Sequence, residues 1–158
     1  MSEEISREDA KARRLTVEEI SAMVVDCGYR LHVEAGPGLL ESVYEVALTR
    51  LLIDKGLNVK RQVPVPINLF NYEFNEGFRA DLIINDCFLV ELKSVEKLAP
   101  VHAKQTLTYL RLLGFPIGLL LNFGSPTFKE GCKRIVNNHT NFAASRLRVN
   151  QNNGGCHE

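Results

Sequence analysis

Apolar and polar positions change period several times along the chain, and each change marks an element. Ile20, Val24, Cys27 and Leu31 recur at helical spacing behind Thr16-Val17-Glu18-Glu19, a capping box, and Gly36-Pro37-Gly38 stops the run. A second helix is expected from Leu39 to about Lys55, with Leu40, Val43, Tyr44, Ala47, Leu48, Leu51 and Leu52 as its apolar stripe and Gly56 as its cap. Val59 to Val65 and Ile67 to Tyr72 are strand-like pieces punctuated by Pro64 and Pro66, which predicts an edge strand or an irregular bend. The β-prone runs Phe78 to Ile84 and Phe88 to Lys93 flank the turn-prone Asn85-Asp86-Cys87 and predict a hairpin. Pro100 and Gly114 bracket a third helix. Ile117 to Phe123 reads as a strand covered on both faces, and a short helix is expected near Lys129 to Asn137. The order predicts an α/β (α+β) fold, a mostly antiparallel sheet with helices on its faces.

Within the hairpin, Asp81, Glu91 and Lys93 sit in or beside apolar runs where water is scarce. An isolated buried carboxylate is unfavourable unless it is paired or bound to a metal. If Asn85-Asp86-Cys87 forms a three-residue loop, Ile84 faces Phe88 and Asp81 falls opposite Glu91. Asp81, Ile83, Leu89, Glu91 and Lys93 then share a face, because side chains alternate along a strand. A two-residue turn at Asn85-Asp86 would instead oppose Asp81 to Val90 and send Glu91 to the other face. The longer loop commonly needs its last residue in a left-handed conformation, which Cys87 does not favour. Two carboxylates and a lysine on one face would hold a divalent cation and a water, the outline of a metal-dependent phosphodiesterase. The plainer alternative is a surface hairpin with an ordinary cross-strand ion pair.

Two further polar residues lie in apolar company. Glu41, in the first turn of the second helix, points to the side of Leu48 and Leu52. It is either a carboxylate favoured by the helix dipole or a group that looks across at Asp81 and Glu91. Lys97, Lys104 and Arg111, spaced by seven, mark the solvent side of the third helix, whereas Gln105 lies nearer Val101, Tyr109 and Leu112. An inward glutamine needs partners: it either bonds the backbone or orients Lys93 or a bound water. The basic ridge is a solvated face or a surface for a phosphate backbone, and His102 carries no clear chemistry.

Composition narrows the classes. The chain has 158 residues, 45% hydrophobic and 24% charged, as expected for one soluble domain over 16–142, a flexible lead over 1–15 and a disordered tail over 143–158. No apolar run reaches the length of a membrane span, and Met1-Ser2-Glu3-Glu4 is too acidic for a signal peptide. Four dispersed cysteines (Cys27, Cys87, Cys132, Cys156) fit a cytoplasmic setting and argue against a zinc site. A net charge of +0 excludes coating of nucleic acid by bulk electrostatics, though not a local basic groove.

Taken together, Gly38-Leu39-Leu40-Glu41-Ser42-Val43-Tyr44, GFRADLII, the triplet ELK and PVHAKQTLTYLRLLGFPIGLLLNF resemble the GxxExxY family of the PD-(D/E)XK nuclease-like superfamily over roughly residues 20–137. The resemblance implies a restriction-endonuclease-like αβββαβ core. It implies that Asp81, Glu91 and the backbone carbonyl of Leu92 ligate Mg²⁺ or Mn²⁺, and that Lys93 orients or activates the water. Glu41, contacting the metal through water, and Gln105 would fill the accessory acidic and glutamine positions. The superfamily's Pro-Asp is Ala80-Asp81 here. The expected activity is Mg²⁺-dependent hydrolysis of phosphodiester bonds in nucleic acid, with DNA favoured. The competing class is a non-catalytic nucleic-acid- or protein-binding module on the same scaffold. A symmetric homodimer through apolar residues such as Phe70 and Phe74 is a further expectation.

Overall fold

The chain enters its first helix through the expected cap. Thr16 Oγ1 accepts from the Glu19 N–H at 3.2 Å, and Glu19 Oε2 accepts from the Thr16 N–H at 2.8 Å, opening α1 (Val17–Ala35). The computed structural model describes residues 13–138, so the expected tail over 143–158, and the expected lead over 1–15 as far as residue 12, lie outside the described residues. Helix α2 (Glu41–Asp54) ends where Gly56, at φ 86°, turns the chain left-handed. Its N–H bonds Ile53 O at 2.8 Å and the next N–H, of Leu57, bonds Leu52 O at 3.2 Å, a Schellman closure.

Then follow β1 (Val59–Leu69), β2 (Tyr72–Ile84), β3 (Phe88–Lys93), α3 (Pro100–Leu113), β4 (Ile117–Asn122), α4 (Phe128–Gly131) and β5 (Cys132–Val136). The strands lie in the order β1-β2-β3-β4-β5. All neighbours are antiparallel except β3 and β4, which are parallel with α3 as the crossover between them. This is an α+β arrangement consistent with a restriction-endonuclease-like fold.

The sheet separates two apolar clusters. Ile20, Val24 and Cys27 of α1 and Tyr44, Leu48 and Leu52 of α2 pack on Leu82, Ile84, Phe88, Val90 and Leu92. Leu110 of α3 packs with Ala80, Ile83 and Leu89. Every residue of β4 is buried, as the uninterrupted apolar run implied.

Three expectations need correction. Residues 132–136 form an edge strand paired with β4, not the second half of a helix; only Phe128–Gly131 is helical. Cys132 to Val136 carries no turn signal of its own, and the open edge of β4 decides its conformation. Next, the two proline-broken pieces are one strand, β1, which lies at the sheet edge as expected and bends through a register shift between Val65 and Ile67. An edge position leaves the missing proline N–H groups without consequence. Its partner β2 begins at Tyr72, well before Phe78, so the two strands continue as a ribbon. Leu69 pairs with Tyr72 across Phe70-Asn71, both at positive φ, and Phe70 is 93% exposed. Lastly, Leu40 and Val43 face outward, while Glu45 and Thr49 are buried with Tyr44, Leu48 and Leu52. The apolar arc of α2 is wider than its contact with the sheet, and tertiary partners choose which part is covered.

Candidate active site

The hairpin forms in the register that brings the acids together. Ile84 pairs with Phe88, Ile83 with Leu89 and Leu82 with Val90, so Asn85-Asp86-Cys87 is the three-residue connection. The left-handed burden falls on Asn85 and Asp86, at φ 49° and 55°, and not on Cys87. Those residue types tolerate it best. Asn85 is fastened to the start of β1: its Oδ1 accepts from the Asn58 N–H and its own N–H bonds Asn58 O, both at 2.9 Å.

Beyond Leu82–Val90 the ladder between β2 and β3 stops. The next step of the register sets Asp81 against Glu91, and side chains take over from backbone there. Asp81 Oδ2 accepts from the Leu92 N–H at 2.8 Å, and Glu91 Oε1 accepts from the Asp81 N–H at 3.3 Å. Each carboxylate thus satisfies a backbone donor that the parted strands have released. That exchange is why both acids sit at the split instead of turning to solvent.

Glu91 is only 6% exposed. Burial, reinforced by the Asp81 charge, pushes its carboxyl up to about 9. Burial also raises Asp81, with the Glu45 charge acting the same way, while the Leu92 amide and the Lys93 ammonium pull against it. Glu41 is half-buried and raised by burial and then by Asp81. The Lys93 charge and the Ser94 amide oppose the shift. Lys93 therefore lies within electrostatic reach of Asp81, Glu91 and Glu41. Among the described residues it belongs to none of the direct ion pairs, which instead engage Lys60, Arg61 and Arg79 in this region.

The motif around Glu41 has a visible structural task. The Tyr44 hydroxyl donates to Gly36 O at 2.5 Å and accepts from the Leu39 N–H at 3.1 Å, and its ring stacks on Phe123 with centroids 4.6 Å apart. Ser94 Oγ donates to Leu39 O at 2.7 Å. The loop that leads into Glu41 is thereby tied to the segment that follows Lys93. Past it, buried Asn122 donates to Val95 O at 2.8 Å and accepts from the Val95 N–H at 3.0 Å.

Gln105 departs from expectation. It is exposed on α3, not turned inward, and its Nε2 donates to the Tyr109 hydroxyl at 2.6 Å. The inward polar residue of that turn is Thr106, which satisfies itself on His102 O at 2.9 Å. Tyr109 stacks on Phe78, and burial and then the Glu91 charge raise its phenol. Gln105 therefore reaches the acids only at second hand. Lys97, Lys104 and Arg111 are all exposed as expected, and His102 has a local task, its Nδ1 accepting from the Ala99 N–H at 3.0 Å.

Sequence reasoning missed Glu45, Arg61 and Gln62. Glu45 is 4% exposed, and its Oε1 and Oε2 accept from Arg61 Nε at 2.9 Å and Gln62 Nε2 at 2.6 Å. Gln62 Nε2 also lies 3.4 Å from Asp81 Oδ1. The i,i+4 spacing of Glu41 and Glu45 was the available signal for the glutamate. Gln62 had none, because it sits at φ 49° inside a strand. Such backbone is uncommon outside glycine, costs about 1–3 kcal/mol, and clusters at functional sites.

Among the described residues no group of three or more His, Cys, Asp or Glu is arranged to hold a metal. The Asp81–Glu91 pair still suits a hard cation. Its donors are all oxygen, its negative charge is under-compensated, and Mg²⁺ is typically held by one or two carboxylates while keeping several waters. A concavity of about 880 Å³ between α1 and α2, lined by Arg30, Leu31, Val43, Val46 and Arg50, contains none of these acids.

The α+β sheet thus parts at a pair of carboxylates with a lysine within electrostatic reach. A family model described as the PD-(D/E)XK nuclease superfamily matches residues 18–135, and the chain belongs to that superfamily. Neither the curated proteins nor the solved structures yield a significant match.

Proposed function

We propose that this chain is a metal-dependent nuclease of the GxxExxY family, hydrolysing phosphodiester bonds in DNA. The observation that carries this is the reciprocal lock of Asp81 and Glu91 at the strand split, with Lys93 within reach of both. Asp81, Glu91 and the backbone carbonyl of Leu92 would hold Mg²⁺ or Mn²⁺, and Glu41 would add a contact through water. The bound cation would polarise the scissile phosphate and lower the pKa of a coordinated water. Lys93 is a compact cation that would hold the attacking water in line and stabilise developing negative charge. Gln105 would act from a distance, steadying Tyr109 at the edge of the acids. The exposed Lys97, Lys104 and Arg111 would meet the phosphate backbone.

No helix among the described residues is long and apolar enough to cross a membrane. Cys27 and Cys132 are free thiols, which supports a reducing cytoplasmic setting. The deciding experiment incubates purified protein with single- and double-stranded DNA and RNA, with and without Mg²⁺ or Mn²⁺. Cation-dependent cleavage of DNA, lost in Lys93→Ala, is the expected result. Binding without cleavage under every condition would transfer the chain to the non-catalytic class.

A homodimer through the ribbon is supported by exposed Leu69, Phe70, Tyr72 and Phe74 near its tip. Sedimentation equilibrium should give twice the chain mass, reduced to one in Phe70→Ser/Phe74→Ser; a monomeric native protein would end that part of the reading.

A further inference from the structure

We infer that Gln62 is a positioning residue for Asp81, held between Asp81 and buried Glu45 by an amide that serves both carboxylates. The inference rests on the metal-site reading above and adds a residue to it.

Asp81 stands where the sheet fails on both sides. The β1–β2 ladder pairs Arg61 with Leu82 and Val63 with Ala80 but skips Gln62 and Asp81, and the β2–β3 ladder ends one step earlier at Leu82. With no ladder partner on either side, its carboxylate must be oriented by other means. Oδ2 is taken by the Leu92 N–H at 2.8 Å, so the direction of Oδ1 is the remaining freedom. Gln62 Nε2 donates to Oδ1 at 3.4 Å, and the Glu91 carboxyl also hydrogen-bonds the Asp81 side chain.

A glutamine amide has two N–H donors, and the second has a stronger claim on it. Gln62 Nε2 lies 2.6 Å from Glu45 Oε2, and Glu45 Oε1 is occupied by Arg61 Nε at 2.9 Å. Glu45 is therefore anchored by two β1 side chains and in turn fixes the Gln62 amide. Without that amide, Glu45 and Asp81 would face each other as two acids with no donor between them, and like charges drive each other apart. The left-handed backbone of Gln62, at φ 49°, is what departs from regular strand geometry at this position. An unfavourable conformation kept at the one place where it serves Asp81 points to function over stability.

The test separates metal affinity from folding. Gln62→Gly suits positive φ and removes the amide; Gln62→Asn tolerates positive φ but is one methylene too short to bridge the two acids. Calorimetric titration with Mn²⁺ and urea unfolding of the metal-free protein would be run on the native chain and both variants. The expected result is Mn²⁺ binding weakened about 10-fold in both variants, including Gln62→Gly, where relief of the left-handed backbone offsets the lost Glu45 hydrogen bond and holds the unfolding midpoint near native. Equal Mn²⁺ affinity in native protein and variants would overturn the positioning role and leave the metal site standing. Weakened binding that only tracks a lowered unfolding midpoint would overturn it too, by making Gln62 a stability residue. A native protein that binds no Mn²⁺ would overturn both.

Discussion

Asp81→Ala should reduce Mg²⁺- or Mn²⁺-dependent cleavage by at least about 10³-fold, with the fold retained. The expected loss is large because Asp81 does two things at once: it offers a hard oxygen ligand, and its Oδ2 fixes the Leu92 amide at the point where β2 and β3 part. The stability effect should be small, since opposing terms nearly cancel. The variant loses a charge-assisted hydrogen bond at Leu92 but relieves the repulsion that raises Glu91 and Glu41. Cleavage rates, circular dichroism and urea unfolding on the same preparation check both halves. Cleavage within about tenfold of the native rate would be incompatible with a catalytic metal at this pair.

The second expected result concerns Glu91→Gln and pH. The folded protein holds the Glu91 proton up to about 9, against an ordinary value of 4.5. Between those limits the folded state binds more protons than the unfolded one, so stability is fully present below the ordinary value and falls as pH rises. Asp81 and Glu41 shift in the same direction. By pH 7 the Glu91 contribution alone has cost about 3 kcal/mol relative to acid conditions, at about 1.4 kcal/mol per pH unit. Glu91→Gln keeps the shape and removes the titration. Its metal-free stability should exceed the native protein's at pH 8, and its stability curve should be flatter from pH 5 to 8. Because a cation must displace the Glu91 proton, native Mn²⁺ affinity should rise steeply over the same interval, and the variant should show no such rise. Urea unfolding at a series of pH values, with and without Mn²⁺, reads all three. A native stability that climbs steadily from pH 5 to 8 would contradict the buried, under-compensated carboxylate.

Signals that act over a few residues were readable in advance. The Thr16–Glu19 capping box, the Pro100 start and Gly114 end of α3, and the buried run of β4 each depend on side chains near in sequence. The hairpin register was legible for the same reason, since loop length and strand alternation together allow only two pairings. Where the open question was the left-handed residue, Asn85 and Asp86 took that conformation and spared Cys87. Wider placement was not legible. Cys132 to Val136 became a strand because β4 offered an open edge. Leu40 and Val43 stayed outside while Glu45 went in, because Arg61 and Gln62 waited for it on β1. Gln105 has the helical angle of an inward residue, yet neighbouring Thr106 and Leu110 occupy the covered side.

From sequence alone came the class of fold, the hairpin and two possible registers, one of which sets Asp81 against Glu91, because alternation along strands and the length of a turn are local geometry. Only the folded chain decided that the strands part at that pair and that Glu45 and Gln62 close around it. It also decided that Gln105 stands one hydrogen bond away. Those outcomes depend on which surfaces meet across some tens of residues, and burial, not spacing, sets the energy of a charge once they do.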